Sequence, residues 1–72
     1  ELQAKETGRL ISEFLRSLDE TRRMMFIRRY WYMDPIADVA KKFGMKESRV
    51  KTTLYRIRQE LAAYLKDEGV DL

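Results

Sequence analysis

The sequence predicts an all-α fold: a compact four-helix domain containing a helix-turn-helix, with a long last helix. Three observations predict it. Apolar residues recur at three- and four-residue spacing along the chain, and no stretch alternates as a strand would. Gly44 sits in the frame Ala40-Lys41-Lys42-Phe43-Gly44-Met45, with Val50 and Leu54 following at helical spacing. A small residue there lets two helices approach, the glycine permits a tight turn, and the flanking apolar side chains fix the crossing. Finally, positive charge is concentrated. Between residues 41 and 58, Lys41, Lys42, Lys46, Arg49, Lys51, Arg56 and Arg58 face one acid, Glu47, although the whole chain carries only +3.

The first helix is expected from about Gln3 to Ser17. Leu10, Ile11, Phe14, Leu15 and Leu18 form an apolar stripe about 140° wide, and Gly8 weakens the first turns. Asp19 suits the cap of a second helix, with Glu20 favourable in its first turn. That helix, about Glu20 to Tyr32, is apolar on two sides. Met25, Phe26, Tyr30 and Met33 lie on one, and Met24, Ile27 and Trp31 on the other. One reading buries all of them in a central helix. The other leaves Met24, Ile27 and Trp31 as a protein-docking patch, since large apolar groups exposed on so small a domain call for a partner. Asp34-Pro35 signals the start of the third helix, with Asp34 as cap and Pro35 in the first turn, and Gly44 ends it. The fourth helix is expected from about Glu47 to Lys66.

The fourth helix divides into two faces. Val50, Leu54, Ile57, Leu61, Tyr64 and Leu65 make a stripe about 100° wide for burial against the other three helices. Ser48, Arg49, Lys51, Thr52, Tyr55 and Arg56 fill the opposite arc with the hydrogen-bonding groups that base edges and phosphates require. The first half of a recognition helix points deepest into the major groove of DNA, so Ser48, Arg49 and Thr52 are the expected base readers. Lys51, Tyr55 and Arg56, together with Lys41, Lys42 and Lys46 near the turn, suit phosphates. A charged outer face alone would read as a solvated helix. The glycine turn immediately upstream is what favours DNA.

At 72 residues, 44% hydrophobic and 38% charged, the chain suits one small helical domain over 1–72, with the helix-turn-helix at about 35–58. It has no cysteine and no histidine, which removes disulfides, thiolate metal sites and a histidine base. No serine stands in a glycine-rich elbow, so no catalytic residue, metal site or cofactor is expected. No apolar run is long enough to span a membrane, and no membrane contact is expected. The chain opens at Glu1 without a methionine, so a monomeric fragment of a longer protein is the expectation.

More than the bare motif is present. Arg29-Tyr30, Asp38-Val39-Ala40, Gly44, Val50-Lys51, Leu54, Arg56, Arg58 and Leu61 together resemble region 4, the carboxy-terminal domain of bacterial RNA polymerase sigma factors of the sigma-70 family. The resemblance is closest to the alternative or extracytoplasmic-function type, and it extends upstream through Leu15 and Leu18 and downstream to Leu65. It implies a cytoplasmic bacterial protein whose last helix reads the minus-35 element of double-stranded promoter DNA. It also implies docking onto the β-subunit flap of core RNA polymerase, and capture by an anti-sigma factor. Glu47, Ser48, Arg49, Lys51 and Thr52 fall where family members place their reading residues. Two positions depart from the family pattern: Leu18-Asp19 stands where many members have Leu-Pro, and Lys46 where many have a Ser or Thr cap. Lysine caps poorly. Two other functions remain open on the residues alone, a different helix-turn-helix transcription regulator and a helical protein-interaction adaptor.

Overall fold

Four helices follow one another along the chain: α1 (Leu2–Ser17), α2 (Glu20–Tyr30), α3 (Ile36–Phe43) and α4 (Glu47–Asp67). The computed structural model describes residues 2–70, and no strand occurs among them. α4 packs against each of the other three helices, and α2 also packs against α3. Val50, Leu54 and Ile57 of α4 meet Phe14 of α1, Met25 of α2, and Val39 and Ala40 of α3 in a buried core, and Leu10 and Leu65 are buried as well. Ring contact between Phe14 and Tyr64, centroids 5.7 Å apart, adds a second tie between α1 and α4. At 21 residues α4 is about 31 Å long, which draws the molecule out to 38 Å in one direction.

The expected stripe of α1 holds. Leu10, Phe14 and Leu18 are buried and Ile11 and Leu15 half-buried, while the helix runs unbroken through Gly8. Asp19 caps α2 as its side chain predicts: one carboxylate oxygen accepts the Arg22 backbone N–H at 3.2 Å and the other the Arg22 Nε at 2.7 Å.

α2 ends two residues earlier than its apolar pattern suggests. The Trp31 and Tyr32 amides both donate to the Ile27 carbonyl, at 2.8 and 3.2 Å, which closes the last turn. Met33 then takes a left-handed φ of 61°, uncommon for a residue with a Cβ. Arg28 and Arg29 hold the chain in this path. Arg28 Nε donates to the Asp34 carboxylate at 2.8 Å, its guanidinium lies 4.6 Å from the centroid of the Tyr32 ring, and Arg29 donates to the Asp34 carbonyl at 2.9 Å.

Three expectations are corrected here. Asp34 does not cap α3, because its carboxylate is turned back to Arg28; Pro35 occupies the cap position without a side-chain bond, and its carbonyl accepts from Asp38 and Val39. Met33 leaves the apolar side of α2 and is 76% exposed. The reading of α2 as buried all round also fails. Met25 is buried and Met24, Phe26 and Ile27 half-buried, but Tyr30 is 40% and Trp31 79% exposed.

Candidate nucleic-acid interface

The interface is built from the end of α3, the turn and the first half of α4. Gly44 adopts φ 65°, and its amide donates to the Lys41 carbonyl at 3.3 Å while the Met45 amide donates to the Ala40 carbonyl at 2.9 Å. This paired closure satisfies two carbonyls that the end of α3 would otherwise leave open. Ala40, buried at the crossing, lets α3 lie close to α4. Lys46 occupies the cap of α4 and makes no side-chain cap bond, in keeping with its poor capping chemistry. Its carbonyl nonetheless accepts from Arg49 and Val50 at 3.0 and 3.1 Å, so α4 starts where expected.

All ten residues singled out for this face (Lys41, Lys42, Lys46, Glu47, Ser48, Arg49, Lys51, Thr52, Tyr55 and Arg56) have exposed side chains. Ser48, Arg49, Thr52 and Arg56 line one shallow depression, and Lys46, Ser48 and Arg49 line another beside Phe43, Gly44 and Met45. The two depressions meet at Ser48 and Arg49. Lys51 and Tyr55 sit on the neighbouring flank of α4, and Lys41 and Lys42 on the last turn of α3, outside both depressions. Thr53 completes the first depression. Its half-buried position between the two faces of α4 left it out of a division into buried and exposed arcs.

The electrostatics of this face are simple. Among the described residues, the ion pairs involve Arg9, Arg22 and Arg28, and none involves Lys41, Lys42, Lys46, Arg49, Lys51 or Arg56. Six cations close together without a carboxylate partner attract a polyanion. The Thr52 hydroxyl donates to the Ser48 carbonyl at 3.0 Å, so outward it presents lone pairs and a methyl group.

A cationic, hydrogen-bonding helix face set on a glycine turn is the geometry of a DNA-binding helix-turn-helix, and one comparison decides its family. The sequence matches the family model described as Sigma-70, region 4, over residues 8–61. The chain belongs to the sigma-70 region 4 family. The matched span takes in all ten residues of the face and runs from within α1 into α4. No curated protein and no solved structure matches the chain. As a region 4 domain it has the general role of a sigma factor in binding promoters at the initiation of transcription, and its family is regulatory and DNA-binding, not catalytic. Among the described residues no helix is long and apolar enough to cross a membrane, and no group of acidic side chains is placed to hold a metal ion.

Arg58 has no place in the site that the sequence suggests, although its charge belongs to the same basic run. Arg58 donates a hydrogen bond to the Tyr30 hydroxyl from 28 residues away, and it lies 5.9 Å from the centroid of the Tyr55 ring. No local pattern signals that pairing.

Proposed function

We propose that this domain reads the minus-35 element of a promoter through the first half of α4, within a sigma factor of the extracytoplasmic-function type. Arg49 bonds a guanine bidentately in the major groove, Glu47 accepts from a cytosine amino group, and Ser48 and Thr52 contact neighbouring base edges. Lys41, Lys42, Lys46, Lys51, Tyr55 and Arg56 hold the flanking phosphates and set the register. The observation that carries this reading is the cluster of exposed cations without carboxylate partners around the Gly44 turn.

The second half of the proposal concerns partners. Ile11 and Leu15 of α1 and Phe26 and Ile27 of α2 line an apolar groove with Tyr30, Trp31 and Tyr32 at its end. That groove, with Met24 beside Ile27 on α2, suits a helix from the β-subunit flap of core polymerase. A cytoplasmic anti-sigma factor would compete for the domain. Affinity for promoter DNA alone is weak, because one recognition helix contacts few phosphates, and tethering to polymerase supplies the remainder as effective concentration.

The test titrates labelled promoter duplex with the domain over a range of salt concentrations, then with core polymerase and the full-length factor. Weak, strongly salt-dependent binding that tightens with polymerase is expected. Nanomolar, salt-insensitive binding by the domain alone would favour a self-sufficient regulator.

A further inference from the structure

Four side chains join α2 to the cationic face of α4 in an unbroken series. The Phe26 and Tyr30 rings meet with centroids 4.8 Å apart, and the Tyr30 hydroxyl accepts a hydrogen bond from Arg58. The Arg58 guanidinium in turn lies 5.9 Å from the centroid of the Tyr55 ring, within cation–π range. We infer that Arg58, anchored on Tyr30, is a positioning residue that holds the Tyr55 ring in place for a DNA phosphate.

The need for an anchor follows from exposure. Tyr55 is 55% exposed, and Arg58 is exposed as well. An untethered side chain at such a position samples several rotamers, and ordering it on a partner costs affinity. Arg58 lies three residues from Tyr55, so the two are neighbours on the surface of α4. Its own place is fixed from outside that helix, because Tyr30 belongs to α2.

No acid draws Arg58 elsewhere. Its neighbours three and four positions away on α4 are Leu54, Tyr55, Leu61 and Ala62. Glu47 lies close to it around the helix but eleven residues, about 16 Å, before it, and Asp67 lies nine residues, about 14 Å, beyond. Glu60 reaches Arg22 at 3.6 Å, and Asp34 is bound to Arg28. Glu20 of α2 stands at the far end of that helix from Tyr30. Among the described residues no ion pair includes Arg58. Around α4 it stands about 60° from Tyr55 on the side of the buried Leu54, and about 160° from Arg56. It therefore backs the ring and does not share the arc of Thr52 and Arg56. The inference rests on the reading that Tyr55 contacts phosphate, and its test separates the two.

The probe is a labelled duplex of about 20 base pairs and random sequence, since phosphate contacts carry no sequence information. It is titrated at several salt concentrations with the 72-residue chain and its variants. Tyr30→Phe deletes only the acceptor of the Arg58 bond and should weaken binding by about threefold. Arg58→Ala should cost about the same. Neither should change the salt slope, whereas loss of a direct phosphate contact at Arg58 would lower it by about 0.9. In a Tyr55→Ala background, adding Tyr30→Phe should cost nothing further, because the effect passes through the ring. The Tyr55 Hα–Hβ couplings, measured by NMR on the free chain, should show one dominant χ1 rotamer and should average in Tyr30→Phe and Arg58→Ala. Couplings unchanged in both variants, or already averaged in the unaltered chain, would overturn the inference. So would undiminished binding by Tyr30→Phe, a loss in that variant as large without Tyr55 as with it, or a reduced slope in Arg58→Ala. If Arg49→Ala weakens binding and Tyr55→Ala does not, the face binds DNA without Tyr55 and the inference falls alone. Undiminished binding by both would remove the reading of the cationic face, and the positioned ring with it.

Discussion

Arginines and lysines have two different fates in this molecule. On α1 and α2 three of them are bound to carboxylates of the same fold: Arg9 bridges Glu6 and Glu13, Arg22 joins Asp19 to Glu60, and Arg28 fastens Asp34. Around the α3–α4 turn Lys41, Lys42, Lys46, Arg49, Lys51 and Arg56 are exposed, and none takes part in those pairs. A paired cation must give up its carboxylate before it can neutralise a phosphate; a free one only releases solvent and counterions. The net charge of +3 hides this division. Partner choice is set by which cations the fold leaves unneutralised, and the sum says little about it.

The largest perturbation breaks the joint that holds the two regions together. Ala40→Leu crowds the buried α3–α4 crossing and should cost roughly 1–3 kcal/mol. A Cβ at Gly44 would meet no atom within 4 Å beyond its chain neighbours, so the cost of Gly44→Val begins in the backbone: a β-branched residue at φ 65° is strained by at least about 1–2 kcal/mol. Both variants should lower the melting temperature by circular dichroism and lose DNA and protein partners together. An unchanged melting temperature in both would mean that the turn does not couple the regions.

Next in size are substitutions that separate the regions without unfolding them. Arg49→Ala should cost about 1–3 kcal/mol against the preferred promoter and relax specificity at one base position. Thr52→Ala should also shift preference. Trp31→Ala should leave DNA binding unchanged and weaken association with core polymerase, and photocrosslinkers at positions 27 and 31 should capture the polymerase. Equal losses for DNA and polymerase in each variant would dissolve the distinction.

A smaller effect sharpens it. Lys41→Ala and Lys42→Ala should weaken all sequences alike and reduce the salt slope by about 0.9 for each phosphate that is no longer neutralised. Arg9→Ala, which removes an already paired cation from α1, should leave the slope where it is. Matching slopes for the Lys41 and Arg9 variants would show that pairing within the fold does not govern availability to phosphate.

The regions also differ in how far the sequence reveals them. The α3–α4 turn is legible because its causes are local. A glycine takes the left-handed turn, a small residue sits four positions before it, and one apolar stripe on α4 sets both the buried face and the exposed one. The end of α2 is not legible in the same way. Trp31, Tyr32 and Met33 continue an apolar helical pattern, yet the helix stops at Tyr30 because Arg28 and Arg29 capture Asp34 across the intervening loop. That capture also overrides the Asp34-Pro35 start signal, since a carboxylate paired with a guanidinium is not free to cap. The Arg58–Tyr30 bond joins α4 to α2 across 28 residues and leaves no trace in spacing. Local chemistry is readable in the chain, and side-chain pairing between elements is not.

The smallest expected effect is a pH dependence confined to the paired region. The Arg22 guanidinium, and then the Arg22 backbone N–H, hold the Asp19 carboxyl below its ordinary value of 3.8. A carboxyl whose folded-state pKa is depressed stabilises the fold fully above its unfolded value, and loses that contribution as pH falls through the folded value. The loss therefore lies in acid, below about 3.8. The Asp19 carboxylate is exposed and Arg22 half-buried, so solvent keeps the effect small. Its location is more informative than its size. Acid should loosen the start of α2, where Asp19 supplies both the cap and a negative charge at the helix N-terminus, and also its link through Arg22 to Glu60. The Gly44 and Met45 amides are bonded to backbone carbonyls, which do not titrate in this range, so the α3–α4 turn should persist. Hydrogen exchange and amide chemical shifts, followed as pH is lowered, should show protection failing first at Arg22, whose amide rests on the Asp19 carboxylate. Asp19→Asn is the control. Asparagine caps nearly as well but has no charge to lose, so the variant should show no acid transition at the start of α2. Simultaneous loss at Arg22 and Gly44 would mean that the domain unfolds as one unit and that the two regions do not differ in their response to acid.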